Sequence, residues 1–179
     1  MTLFLVFDSI AYFHFRKYFT MITLSSKLDC QDIAVIYNNY LGKATMDLEP
    51  KDGAYYSKIL DHQDDMEELW SLKKGEKLIA WGIIKKYSDR AGYRLTGETS
   101  VYVHPDHLHE GHGTLLKKHL MKRCKALGYH HLLARINSDN HISIHYNKKL
   151  GYTIVGEQIE VGRINDTWKD ITIMQYILD

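Results

Sequence analysis

Val101-Tyr102-Val103-His104-Pro105-Asp106-His107-Leu108-His109-Glu110-Gly111-His112-Gly113-Thr114 is the stretch on which the fold turns. Residues 96–103 alternate and are rich in β-branched side chains, so they predict a strand. Pro105 ends it, because proline has no N–H for a ladder. Past the glycines, apolar residues at 116, 120, 124 and 127 fall on one helical face over 114–127. Gly128 stands where that helix needs a left-handed cap. The start of a helix exposes unpaired N–H groups and carries partial positive charge, which attracts phosphate. Glycines at 111 and 113 let a pyrophosphate approach the backbone and permit positive φ. Alone, such a fragment also suits an ordinary strand-to-helix turn.

Working outward, 21–24 reads as a short strand and 28–37 as an amphipathic helix with Asp29 and Asp32 near its positive end. Residues 38–53 are polar, broken by Gly42, Pro50 and Gly53, and predict a loop; 55–60 predicts a second short helix. Strands at 66–72 and 78–86 flank a turn at 73–76. A short strand at 132–136 and a helix at 143–150 closed by Gly151 come next. Two late strands, 153–161 and 168–178, follow, joined by a turn at 162–167. The expectation is one mixed α/β domain over 21–179 without internal repeats.

Residues 1–20 are rich in Phe, Leu and Tyr, interrupted by Asp8 and closed by Arg16-Lys17. They lack the charge pattern and cleavage site of a secretory signal and are too short in their apolar run to span a bilayer. They read as an N-terminal extension: an extra strand or helix, or an upstream start ahead of Met21.

Apolar residues make up 45% of the 179, charged residues 25%, and the net charge is +1. That is ordinary globular usage, with no positive field calling for nucleic acid and no membrane segment. Cys30 and Cys124 match no metal or redox spacing, which suits a cytoplasmic setting. His104, His107, His109 and His112 follow one another closely. Zinc would normally add Cys or carboxylate ligands in a closed set. Asp106 and Glu110 stand nearby, but the expectation is no metal.

The string 98–107, Gly111-His112-Gly113, then Asn140, Ser143, Leu150-Gly151-Tyr152, Gly156, Val161-Gly162 and Trp168-Lys169-Asp170 resembles the GNAT superfamily of N-acetyltransferases. It is most similar to the phosphinothricin and methionine sulfoximine N-acetyltransferase branch, through Ile36-Tyr37-Asn38, Thr45, Glu49-Pro50, Arg90 and Tyr93-Arg94. The resemblance implies an α+β fold: a central mixed, mostly antiparallel, twisted sheet flanked by helices, with its fourth and fifth strands splayed. It implies acetyl-CoA as co-substrate, no metal, and a small-molecule amine as acceptor. Val101, Tyr102 and Val103 would pair with the pantetheine arm. His109, Glu110, Gly111, His112, Gly113 and Thr114 would hold the pyrophosphate. Asn140 and Ser143 would contact the cofactor. Glu98 matches the branch's general base, and a carboxylate there can take the proton an ammonium must lose before attack. Tyr37, Asn38, Glu49, Arg90 and Tyr93 would build the amine site, where an Arg can pair with a substrate carboxylate.

Two positions depart from the pattern. Leu108 stands where the superfamily's loop usually begins with Arg or Gln, which leaves phosphate binding to backbone amides. Asn147 stands where relatives carry a His or Tyr that protonates the departing thiolate, and an amide is no acid. Tyr146 is adjacent, but neighbouring helix positions point about 100° apart. Two alternatives therefore stay open: a non-catalytic acyl-CoA-binding module of the same fold, or an acetyltransferase for a peptide or antibiotic. The resemblance also implies a homodimer, with the strands around Trp168 as a contributor.

Overall fold

The computed structural model describes residues 19–179; the reading of the first eighteen lies outside the described residues. Seven strands form one sheet in the order β1-β2-β3-β4-β5-β7-β6. They are β1 (Thr20–Leu24), β2 (Glu68–Lys74), β3 (Lys77–Lys86), β4 (Thr96–Val103), β5 (His131–Asn137), β6 (Thr153–Ile164) and β7 (Thr167–Ile177). Four α-helices flank it: α1 (Cys30–Asn38), α2 (Gly53–His62), α3 (His112–Ala126) and α4 (His141–Lys149).

Every neighbouring pair is antiparallel except β4 and β5. That parallel ladder is short, running from Thr96↔His131 to Glu98↔Leu133. Beyond it, β4 continues along β3 as far as Val103, and β5 continues along β7 as far as Asn137. The sheet therefore splits into a V whose apex lies at Glu98 and Leu133. This is the splay expected from the resemblance.

Each face of the sheet carries its own core. Leu116, Leu120 and Cys124 of α3 pack with Ile79, Ile84, Leu132 and Met174 on one side. Ile33 and Ile36 of α1 and Tyr56 of α2 pack with Leu69, Trp81 and Ile83 on the other. β3 serves both, so residues 78–84 are buried without alternation, as in a strand covered on both faces.

Helix ends follow local chemistry. The Asp52 carboxylate accepts from Tyr55 N–H at 2.8 Å and starts α2 at Gly53, two residues before the apolar pattern begins. Gly111, at φ +83°, turns the chain into α3 at His112, also two residues early. Gly128 closes α3 at φ +87°. The turn between the late strands is tighter than expected. Asn165 and Asp166, at φ 45° and 62°, make a two-residue hairpin that lets β6 run to Ile164.

Candidate active site

A cavity of about 600 Å³ opens inside the V, a volume suited to a cofactor-sized ligand. Its walls are the β4 edge from Thr99 to Val103, the β5 residues Ala134, Arg135 and Ile136, the glycine loop, and α4. The β4 edge has lost its β5 neighbour here and is available to an extended ligand as a strand would be. At the far end His109, Gly111, His112, Gly113 and Thr114 line the cavity around the start of α3. Glu110 points elsewhere: it accepts from His112 Nε2 at 3.0 Å. Leu108, the departure from the usual cation, is exposed at the rim.

Helix α4 forms the remaining wall. Asn140 lines the cavity and caps the helix, its Oδ1 accepting from Ser143 N–H at 3.1 Å. The Tyr146 hydroxyl donates to Gly113 C=O at 2.8 Å, so its length overcomes the helical offset and ties α4 to the glycine loop. Asn147 is buried, and its Nδ2 donates to Ser143 C=O at 2.9 Å. Its Oδ1 has no hydrogen-bond partner among the described residues, so Asn147 presents an unpaired acceptor beside its amide nitrogen.

A second cavity of about 210 Å³ is lined by residues from α1, α2 and the outer halves of β3 and β4. Its walls include Tyr37, Asp47, Tyr56, Trp81, Lys85 and Glu98. Ser100, Tyr102 and Arg135 line both cavities, so the two meet beside the apex of the V. Arg135 grips Glu98 from Nε and Nη2, both at 2.9 Å, and this hydrogen-bonded pairing holds its guanidinium charged more firmly than usual. The floor is aromatic: Tyr102 stacks on Trp81 at 4.6 Å, and Tyr37 meets Tyr102 edge-on at 5.1 Å. Burial pushes the Tyr102 phenol up to about 12, and burial together with the bond to Asp47 pushes Tyr37 higher still, so both stay protonated donors.

The other expected acceptor residues lie elsewhere. Asn38 braces the early loop, accepting from Lys51 N–H at 2.9 Å and donating to Lys51 C=O at 2.8 Å. Glu49 is exposed and lines neither cavity, whereas Asp47, two residues earlier, does. Arg90 and Tyr93 sit on an exposed turn, with Tyr93 packed edge-on against Tyr87 at 5.3 Å, and neither reaches a cavity.

Side chains the sequence did not single out complete the site. Arg135 and Lys85 bring cations to the smaller cavity, and Lys117 lies in the wall of the larger one. Lys117 is buried although charged, inside the apolar stripe of α3 that includes Leu120 and Cys124. A lysine three before and seven before apolar helix positions was a readable signal. Its Nζ donates to Thr99 Oγ1 at 2.7 Å and Thr99 C=O at 3.2 Å, and lies 4.9 Å from the centre of the Tyr152 ring.

The loop histidines also gather. Ligand-capable atoms of His107, Glu110 and His112 lie within 4.8 Å of one another. Three such groups are one short of a tetrahedral protein set. The His112–Glu110 bond already accounts for their approach and holds the Glu110 carboxyl below its usual range.

Residues 33–152 match the acetyltransferase (GNAT) family. The L-amino acid N-acyltransferase MnaT of Escherichia coli is 30% identical over 165 residues, covering 88% of this chain and 94% of that protein. The phosphinothricin N-acetyltransferase of Alcaligenes faecalis is 30% identical over 154 residues, covering 82% of this chain and 77% of its own. Among solved structures, yncA from Salmonella typhimurium, which holds its cofactor acetyl-CoA, superposes with a TM-score of 0.84 at 28% identity. That match covers 89% of this chain and 94% of the other.

Proposed function

This chain belongs to the acetyltransferase (GNAT) family and is an acetyl-CoA-dependent N-acetyltransferase, and we propose that it acetylates the amine of a small amino acid or amino-acid analogue. The observation that carries the reading is the charge layout of the smaller cavity. Two carboxylates, Asp47 and Glu98, and two cations, Lys85 and Arg135, surround an aromatic floor. A zwitterion offers the matching pair of charges: an ammonium for the carboxylates and a carboxylate for the cations. A polyamine would leave Lys85 facing a like charge.

The larger cavity suits the co-substrate. The loop amides at 109–114 and the start of α3 receive the pyrophosphate, and the open edge at Val101, Tyr102 and Val103 receives the pantetheine arm. Glu98 takes the ammonium proton directly or through a water, and the freed amine attacks where the cavities join.

The same reading includes a cytoplasmic homodimer. Cys30 and Cys124 are free and buried, in keeping with a reducing compartment. Among the described residues no helix is long and apolar enough to cross a membrane. The edge hairpin exposes Ile154, Val155, Ile159, Val161 and Trp168, an apolar group suited to a second copy.

The deciding experiment is thiol release from acetyl-CoA with a panel of amines: methionine sulfoximine, phosphinothricin, methionine sulfone, natural amino acids, polyamines and peptides. Turnover should favour the amino-acid-like members. Acetyl-CoA binding without turnover on any amine overturns the catalytic reading; preference for polyamines or peptides overturns the acceptor class.

A further inference from the structure

We propose that Lys117 is the catalytic acid of this enzyme, giving a proton from Nζ to the thiol sulfur as it leaves the acetyl group. The inference rests on the reading that the larger cavity takes acetyl-CoA.

Position comes first. Thr99 is the first β4 residue beyond the last β4–β5 pair, so it marks the apex of the V. Val103, four residues on, adjoins the glycine loop, where a Cβ on Gly113 would touch it at 3.5 Å. Four residues of strand span about 13 Å. With the pyrophosphate at the loop, the extended arm therefore brings its reactive end to Thr99 and Ser100, beside Glu98. Lys117 Nζ is fixed at that end by Thr99 Oγ1 and C=O.

Donor accounting comes second. An ammonium has three N–H groups, and Thr99 takes two. Several other cavity donors are committed or remote. The Tyr146 hydroxyl serves Gly113 C=O and the Tyr40 hydroxyl serves Val103 C=O, while Asn147 Nδ2, which gives one N–H to Ser143 C=O, is an amide and no acid. His107, His109 and His112 belong to the loop end. Lys117 brings a transferable proton to the apex, with one N–H that Thr99 does not take.

Electrostatics comes third. Among the described residues no carboxylate is paired with Lys117. The titratable groups that face it are Glu98 from β4, Cys124 from its own helix and the Tyr152 ring. Burial lowers its ammonium to about 8, with Cys124 and Glu98 acting weakly the other way. That value lies close to an ordinary thiol's, so the proton moves between nearly matched groups. An unpaired buried cation is also the charge most favoured by an anion formed beside it.

The step balances. The amine nitrogen, having given one proton to Glu98, forms the C–N bond. The C–S bond breaks with its electron pair on sulfur, and Lys117 protonates that sulfur to give free CoA thiol. The second nitrogen proton leaves through water, water returns one to the neutral Lys117, and Glu98 gives its proton to solvent. One proton is released per turnover.

CoA itself tests this without turnover. The thiol of bound CoA is titrated by its ultraviolet thiolate absorbance, against the complex with desulfo-CoA, in the parent, Lys117→Met and Lys117→Arg. The parent and Lys117→Arg should ionise the bound thiol about tenfold more readily than Lys117→Met. In acetyl transfer the parent rate should fall above about pH 8, and both variants should lose that limb and at least ~10-fold in kcat. CoA that binds all three with one thiol titration overturns the role of Lys117 and leaves the cofactor reading standing. CoA that binds none of them, by calorimetry, overturns both. If Lys117→Met fails to fold, the parent still decides: a bound thiol that titrates like free CoA ends the proposal.

Discussion

Arg135 donates to both oxygens of Glu98 at 2.9 Å, so the two strands that part at Glu98↔Leu133 are bridged by an ion pair at the apex of the cleft. A carboxylate has about four acceptor sites, so two remain for an incoming ammonium. Arg135 therefore orients the proposed base without saturating it.

Glu98→Gln keeps the shape and removes the proton acceptor. The expected result is a fall in kcat of about 10²- to 10⁴-fold, with acetyl-CoA affinity nearly unchanged. Arg135→Met should lower kcat less and raise KM for the acceptor, because Arg135 lines the smaller cavity, the proposed acceptor site, as well. Steady-state kinetics and calorimetry separate the two effects. A Glu98→Gln enzyme as fast as the parent across pH would remove Glu98 as base.

Burial lowers Lys117 from 10.5 to about 8, so between those values the unfolded chain binds more protons than the folded one. Stability therefore rises with pH through this window, and a penalty of about 3 kcal/mol is fully present below pH 8. Lys117→Met has no such titration, although it leaves Thr99 C=O and Oγ1 without their donor. Denaturant melts of both proteins should show the parent gaining about 3 kcal/mol on the variant from pH 8 to 10.5. Parallel pH curves would mean that Lys117 titrates normally.

What could be read in the chain and what could not divides along physical lines. The strand–loop–helix of 96–127 is local chemistry: alternation, Pro105, two glycines and a 3.6-residue stripe, all acting within one segment. Its boundaries moved by two residues only because Gly111 turns the backbone earlier than the apolar pattern begins. The Arg135–Glu98 pair belongs to the parallel register of two strands far apart in sequence, which no local pattern encodes. The residues expected on the acceptor side are not all brought together, for the same reason. Arg90 and Tyr93 precede β4 in sequence order, yet the turn that carries them projects into solvent, and Asp47 rather than Glu49 faces the cavity. Tyr146 shows a different limit. The 100° offset is correct for the backbone, but a phenol is long enough to reach Gly113 across it.

The edge hairpin predicts an assembly. Trp168 is 55% exposed, with Arg163 stacked on it at 5.5 Å, and Ile159 beside the β6 irregularity is 65% exposed. Light scattering behind size exclusion should give a dimer mass, and Ile159→Ser with Trp168→Ser should shift it to the monomer. A parent that runs as a monomer at micromolar concentration would rule the dimer out.

The two loop glycines should fail differently when each becomes alanine. Gly111 has open space around a built Cβ, but its φ of +83° is costly for any side chain. Gly111→Ala should lose about 1–2 kcal/mol of stability and weaken acetyl-CoA binding by shifting the amides that follow. Gly113 already has φ available to alanine, and its Cβ would meet Val103 Cγ2 at an ordinary 3.5 Å. Gly113→Ala should fold as well as the parent, since alanine favours a helix, while its methyl occupies room beside the phosphate site. Thermal melts with and without acetyl-CoA read both terms at once. The parent should be stabilised by ligand, Gly111→Ala should start lower and gain less, and Gly113→Ala should start level and gain less. If Gly113→Ala gains as much as the parent, the pyrophosphate does not approach the backbone at 113, and the cradle lies elsewhere in the loop.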